Sequence, residues 1–108
     1  MTEPSRLQML ASFLEQNPND AFARYGLAME HVAQGRQEAG LAEFDTLIRH
    51  NPDYVPAYQM SAQTLLQMGR TVEATERLEA GIAAAERTGN PHAAAEMIAM
   101  REGLDTPS

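Results

Sequence analysis

Two pairs of residues in this chain recur at the same distance, and this repetition constrains the fold more than any other feature. The pairs are Gly35-Arg36 with Gly69-Arg70, and Asn17-Pro18 with Asn51-Pro52, each displaced by 34 positions. Two independent landmarks that share one offset indicate an internal repeat. Because 34 residues is the length of a helix-turn-helix repeat, the sequence predicts an array of paired helices.

Composition agrees with helices in one domain. Alanine, leucine, glutamate, glutamine and methionine dominate, which favours helix, and no segment alternates apolar and polar residues as a strand would. A chain of 108 residues can bury one core but is too short for two. We therefore expect residues 1–108 to form a single all-α domain.

Apolar spacing, together with proline and glycine, predicts six helices. They cover residues 4–16, about 20–33, 37–50, a stretch from Asp53 to Gly69, 71–87 and 92–103. The predicted N-caps are Thr2, with Pro4 in the first turn, Asn19 or Asp20, Asp53, and Thr71. Gly35 and Gly69 stand where a left-handed residue ends a helix. The inward positions include Phe13 on the first helix and Val72 on the fifth.

Small and large residues fall at fixed places in the repeat. The small ones are Ala28, Gly40, Ala62 and Ala74, and the bulky ones that follow on the second helix of each pair are Phe44 and Leu78. In these positions the chain resembles tetratricopeptide repeat proteins of the small bacterial type, over about residues 4–103. Three departures stand out: Arg24 replaces an aromatic residue, Glu86 replaces a proline, and Gly81 falls in the middle of a helix.

The resemblance implies an all-α superhelix, or solenoid, of antiparallel helix pairs with about six helices. Its parts would be an N-terminal half-repeat helix over residues 4–16, a first unit over 19–52, a second unit over 53–87 and a capping helix over 91–103. In the family, the first helix of each unit lines a concave face. The lining residues here would be Phe22, Tyr25, Met29, Val32, Pro56, Gln59, Met60, Gln63 and Leu66.

This lining is the predicted binding site for a peptide or helix of a partner protein. Methionine side chains adapt to varied apolar surfaces, and glutamines can hydrogen-bond the polar groups of a bound segment. An alternative is that Tyr25 and Met29 only pack against neighbouring helices. A second alternative is a structural protein that forms a homodimer through Met97, Met100 and Leu104. The weakest is an enzyme that uses His31, His50 or His92 with nearby carboxylates.

Charge and motifs bear on the other classes of function. A net charge of −7, from 15 acidic and 8 basic residues, argues against nucleic acid as a partner. With no cysteine, scattered histidines and no phosphate-loop or nucleophile motif, we expect no catalytic residue, no metal and no cofactor. The N-terminus does not resemble a signal peptide, and no apolar run is long enough for a membrane. We expect a cytoplasmic protein.

Overall fold

The computed structural model describes residues 5–105, and within that range every regular element is an α-helix. The helices are α1 (Arg6–Gln16), α2 (Ala21–Ala33), α3 (Gln37–His50), α4 (Val55–Gln67), α5 (Thr71–Arg87) and α6 (Pro91–Asp105). They divide into two compact units whose boundary lies between Asn51 and Pro52. The predicted all-α fold of about six helices is confirmed.

In the first unit, α2 packs against α1 on one side and against α3 on the other. Leu14, Ala23 and Leu27 form the core between α1 and α2, and Leu7 and Leu10 pack against it. Gly40 of α3 is buried so closely against α2 that a Cβ atom there would lie 2.5 Å from Cγ2 of Val32. The small residue therefore sets how closely α3 approaches α2.

In the second unit, α5 packs against α4 and against α6. Ala62, Ala74 and Leu78 are fully buried, as the size pattern of the repeat predicts. Gly81, in the middle of α5, is buried beneath Tyr58 of α4 and Met97 of α6. Its position explains why a glycine stands inside a helix, where it costs about 1 kcal/mol relative to alanine in propensity alone.

Glycines end α2 and α4, which are the first helices of the two predicted repeats, in one recurring turn. Gly35 and Gly69 have φ of 82° and 76°, which confirms the predicted left-handed positions. After Gly35, the amide N–H of Arg36 donates to the carbonyl of His31 at 2.8 Å, and Arg70 donates to Leu65 in the same way at 2.9 Å. This hydrogen-bond pattern satisfies carbonyls that the helix end would otherwise leave without partners. The turn after α5, at Gly89, repeats it.

Three of the predicted N-caps are wrong or lie outside the described residues. Ser5 caps α1 in a reciprocal capping box with Gln8, whereas Thr2 and Pro4 lie outside the described range. Asp53 does not cap α4, whose N-cap is Tyr54, and no side chain makes a capping hydrogen bond to this helix end. Thr71 is the first residue of α5 rather than its cap, which is Arg70. The expected cap Asp20 is confirmed, since its carboxylate accepts from the amide of Ala23 at 2.8 Å.

The Asp53 carboxylate instead binds Arg87 at the end of α5. Nε of Arg87 donates to Oδ1 of Asp53 at 2.8 Å, and its Nη2 donates to the carbonyl of Pro52 at 3.1 Å. The hydrogen bond and the charge of Asp53 raise the pKa of the Arg87 guanidinium above its ordinary value. The Asp53 side chain, which the local sequence predicted to be a helix cap, thus forms an ion pair with a residue more than thirty positions away.

Arg24, which stands where the repeat has an aromatic residue, connects α2 to α3 and to the turn before α2. Its Nη1 donates to Oε1 of Glu43 on α3 at 2.5 Å, and its Nη2 donates to the carbonyl of Pro18 at 3.1 Å. Tyr58, which stands 34 positions later, donates its hydroxyl to the carbonyl of Pro52 at 2.6 Å. The two residues therefore make the same connection to the proline six positions earlier, although one is cationic and the other aromatic.

Replacing Arg24 with leucine is expected to lower the free energy of unfolding by about 1–3 kcal/mol, because it leaves Glu43 part-buried without its cation. The double variant Arg24→Leu with Glu43→Leu should recover most of that loss, since it removes both charges together. Urea titrations followed by circular dichroism measure both effects. Arg6→Leu is the control: Arg6 is largely exposed and lies 3.6 Å from Glu30, so its loss should cost under about 1 kcal/mol. A double variant as unstable as the sum of the two single ones would contradict this account.

Candidate functional site

The predicted site residues of the first unit form one stripe along α2, and they differ in accessibility. Phe22, in the first turn, is 79% exposed. Tyr25 is half-buried and meets Phe44 of α3 edge to face, with ring centroids 6.0 Å apart. Val32 is half-buried over Gly40. Met29, which lies between Tyr25 and Val32 in the sequence, is also half-buried. Phe22 is therefore the apolar side chain most available to a partner on α2.

The predicted site residues of the second unit lie on α4, a helix that contains no charged residue. Pro56 and Gln63 are exposed, whereas Met60 and Leu66 are half-buried. Gln59 donates from its side-chain amide to Glu96 of α6 at 3.1 Å, so part of its hydrogen-bonding capacity is used inside the unit. The accessible part of α4 thus offers apolar surface and neutral amide groups.

Two exposed apolar residues on α1 were not predicted as a surface. Phe13, which the apolar spacing placed inward, is 46% exposed, and Met9 one turn earlier is 58% exposed. The offset of 34 residues is the sequence signal that could have identified Met9 and Phe13 as surface positions, because it assigns each of them an equivalent residue on α3 and on α5 with which it can be compared. The other correction is Val72, which is 74% exposed rather than buried.

The residues named for the alternative functions are placed as follows. Met97 is fully buried against α5, so it is not available to a second molecule, whereas Met100 and Leu104 are half-buried. His31 is half-buried, and its Nδ1 is buried and has no hydrogen-bond partner in the described part of the chain. Among the described residues, no group of three or more His, Asp or Glu side chains is arranged to hold a metal ion.

Charged side chains pair on the surface of α5 and α6. Arg70 donates two hydrogen bonds to Glu73, at 2.8 and 2.7 Å, and this contact lowers the pKa of the Glu73 carboxyl. His92 lies 2.6 Å from Glu96, the same carboxylate that accepts from Gln59.

Between residues 5 and 105, no helix combines the length and apolar character that a membrane span requires.

Comparison with known proteins identifies the repeat. Residues 31–98 match the tetratricopeptide repeat family. The chain belongs to this family. Its helix pairs, its glycine turns and its buried small residues are those of a tetratricopeptide repeat protein, and such folds generally serve as non-enzymatic modules for protein–protein interaction. No curated protein sequence matches the chain.

Several solved structures are similar to this tetratricopeptide repeat protein. A tetratricopeptide repeat domain protein from Salinibacter ruber is 30% identical, with a TM-score of 0.77 over 81% of this chain and 88% of that one. A Bordetella parapertussis protein is 21% identical, with a TM-score of 0.81 over 95% and 90% of the two chains. PcrH, solved in complex with the chaperone binding region of PopD, is 19% identical, with a TM-score of 0.85 over 92% and 75%.

Proposed function

We propose that this tetratricopeptide repeat protein is a non-enzymatic interaction module that binds a peptide or helix of a partner protein. The proposed contacts are the exposed faces of the first helices: Phe22, Tyr25, Met29 and Val32 on α2, and Pro56, Gln59, Met60, Gln63 and Leu66 on α4. The observation that carries the proposal is Phe22, a large aromatic side chain that is 79% exposed on a first helix. Aromatic residues of this kind supply much of the binding energy of protein interfaces.

The chemistry of the two helices supports a protein segment as the ligand. On α4, apolar Met60 and Leu66 accompany exposed Gln63, whose amide can both donate to and accept from a peptide backbone. The PcrH structure, which holds a region of PopD, supports the same class of partner for this fold. With only a few anchoring side chains, the expected affinity is about micromolar, or about −8 kcal/mol.

Phe22→Glu tests the proposal, because it places a charge on the proposed contact without disturbing a buried residue. Immobilised wild-type chain, presented to an extract of its native organism, should retain a partner that the Phe22→Glu variant retains at least about tenfold less, a difference of about 1.4 kcal/mol. The matched control is Val72→Glu, since Val72 is similarly exposed but lies on a second helix. That control should retain the partner as the wild type does.

The extract experiment has a clear contrary result. If both glutamate variants retain the same proteins in the same amounts as the wild type, α2 does not carry the interaction. Circular dichroism and thermal melts of each variant establish that the helices are intact. Because Phe22 is mostly solvated, the change should alter the free energy of unfolding by under about 0.5 kcal/mol.

A further inference from the structure

α1 presents an apolar stripe on the side that does not pack against α2. Leu7, Leu10 and Leu14 face the core with α2, whereas Met9 and Phe13, one turn apart, are about half exposed. Adjacent exposed residues of this size on one helix form a continuous apolar surface. Met9 and Phe13 are called here the α1 stripe.

The repeat shows what kind of element covers this position elsewhere in the chain. Adding the offset of 34 residues takes Met9 to Glu43 of α3, and Glu43 binds Arg24 of α2, the first helix of the same unit. Adding it twice takes Phe13 to Gly81 of α5, which is buried beneath Tyr58 of α4, again the first helix of the same unit. One equivalent of each stripe residue thus contacts the first helix of the same repeat. The α1 stripe therefore corresponds to the surface by which the second helix of a repeat packs against the first helix of that repeat. Among the described residues, no helix precedes α1.

α6 is the counterpart, a first helix for which no second helix follows among the described residues. It begins at Pro91, 36 positions after α4 begins at Val55, and it packs against α5. With that offset, Ala94 of α6 takes the place of Tyr58. An open pocket of about 410 Å³ lies beside this residue. Its lining consists of Pro91, Ala94, Ala95 and Ile98 on α6, with Glu86 at the end of α5 and Gly89 and Asn90 in the turn between the two helices.

The two surfaces are complementary in size. Within the second unit, a large residue of the first helix, Tyr58, covers a small one of the second, Gly81. In a pair made of α6 and α1 the sizes are exchanged, because Ala94 is small and Phe13 is large. The pocket beside Ala94 provides the space that a phenylalanine ring in the Gly81 position would need.

Charge at the other end of the stripe is also complementary. Arg6, largely exposed at the start of α1, lies 34 positions before Gly40, whose nearest neighbour on its first helix is Val32. The offsets that relate the first helices carry Val32 to Leu66 and then to Glu102 of α6. A first helix formed by α6 would therefore bring Glu102, which already has an interaction within its own chain, to the guanidinium of Arg6, which lies 3.6 Å from Glu30.

We propose that copies of this chain associate head to tail, with the α1 stripe of one copy packed on α6 of the next and Phe13 inserted in the α6 pocket. This association is separate from the binding of a partner segment by α2 and α4. One helix pair buries less area than a stable dimer needs, so the contact is weak. Because the two surfaces are different, the contact is heterologous: a pair of copies still has one unused α1 stripe and one unused α6 surface, to which a third copy can add.

Sedimentation equilibrium of the whole chain tests this arrangement through two variants that each block one surface. The wild type should rise in mass above the 11.8 kDa monomer between about 1 μM and about 1 mM. Phe13→Glu blocks α1, and Ala95→Glu blocks α6; each alone should remain monomeric. Mixed in equal amounts, they should form dimers and nothing larger, because one α1 stripe and one α6 pocket remain intact between them.

Other results overturn the proposal. A wild type that remains monomeric over this range excludes the association, and a mixture that stays monomeric excludes the pairing of α1 with α6. If Phe13→Glu associates as the wild type does, the stripe is not the contact. Met9→Glu serves as a second blocking variant should Phe13→Glu lose helix content. Val72→Glu changes an exposed residue of α5 that belongs to neither surface, and it should behave as the wild type.

Discussion

Replacing Phe44 with alanine is expected to lower the free energy of unfolding by about 3–5 kcal/mol. Phe44 is fully buried on α3, and its ring meets Tyr25 of α2 edge to face. Alanine would lose the burial of the ring and leave a cavity that the surrounding side chains can only partly fill. For a chain of this size, such a loss is a large part of the total stability. Urea titration followed by circular dichroism at 222 nm measures it.

Phe22→Ala is the matched control for this experiment, because it removes the same side chain from a site that is 79% exposed. Its effect should be under about 0.5 kcal/mol. If Phe44→Ala lowered the free energy of unfolding no more than Phe22→Ala does, the result would contradict the packing of α3 against α2 through Phe44.

Gly81→Ala is expected to destabilise the protein by about 1–3 kcal/mol, although helix propensity alone predicts a gain of about 1 kcal/mol. A Cβ atom at Gly81 would lie 2.6 Å from Cβ of Tyr58 and 2.6 Å from Sδ of Met97. The methionine can move, but the tyrosine Cβ is fixed to the backbone of α4. Either α4 or α5 must therefore shift, and thermal and urea unfolding should both report the loss.

Gly26→Ala provides the opposite sign in the same experiment. A Cβ atom at Gly26 would meet Leu10 at 3.4 Å, which the flexible leucine can accommodate. The gain in helix propensity should then remain, at about 0.5–1 kcal/mol. Stabilisation by Gly81→Ala to the same degree as by Gly26→Ala would show that α4 does not approach α5 as described.

The sequence was sufficient to predict the repeat and most of the helices, because its strongest signals are local or periodic. Left-handed glycines and the Asn-Pro steps act within a few residues of a helix end, so Gly35 and Gly69 were placed correctly. Burial of Ala62 and Phe44 followed from the size pattern of the repeat. Val72 was misplaced for a simple reason: it lies two positions before buried Ala74, which turns it to the opposite face of α5.

Interactions between distant residues could not be predicted in this way. Asp53 has the chemistry of an N-cap, but Arg87 approaches its carboxylate only when α5 is folded beside it. Arg24 likewise finds Glu43 on the next helix, although Asp20 stands at the local spacing for an ion pair. In the candidate site, helical spacing put Phe22 and Tyr25 on one stripe but could not show that Tyr25 packs on Phe44.

The glycine turns have a consequence for how such chains change in length. α2 and α4 have 13 residues each and α5 has 17, yet two backbone hydrogen bonds recur at the end of all three: the glycine amide donates to the carbonyl three residues earlier, and the next amide donates to the carbonyl five residues earlier. Since those bonds involve only main-chain atoms near the glycine, the joint does not depend on how many turns of helix come before it. Evolution or a protein engineer can therefore add or remove whole helical turns upstream of such a joint and keep the direction in which the chain leaves it.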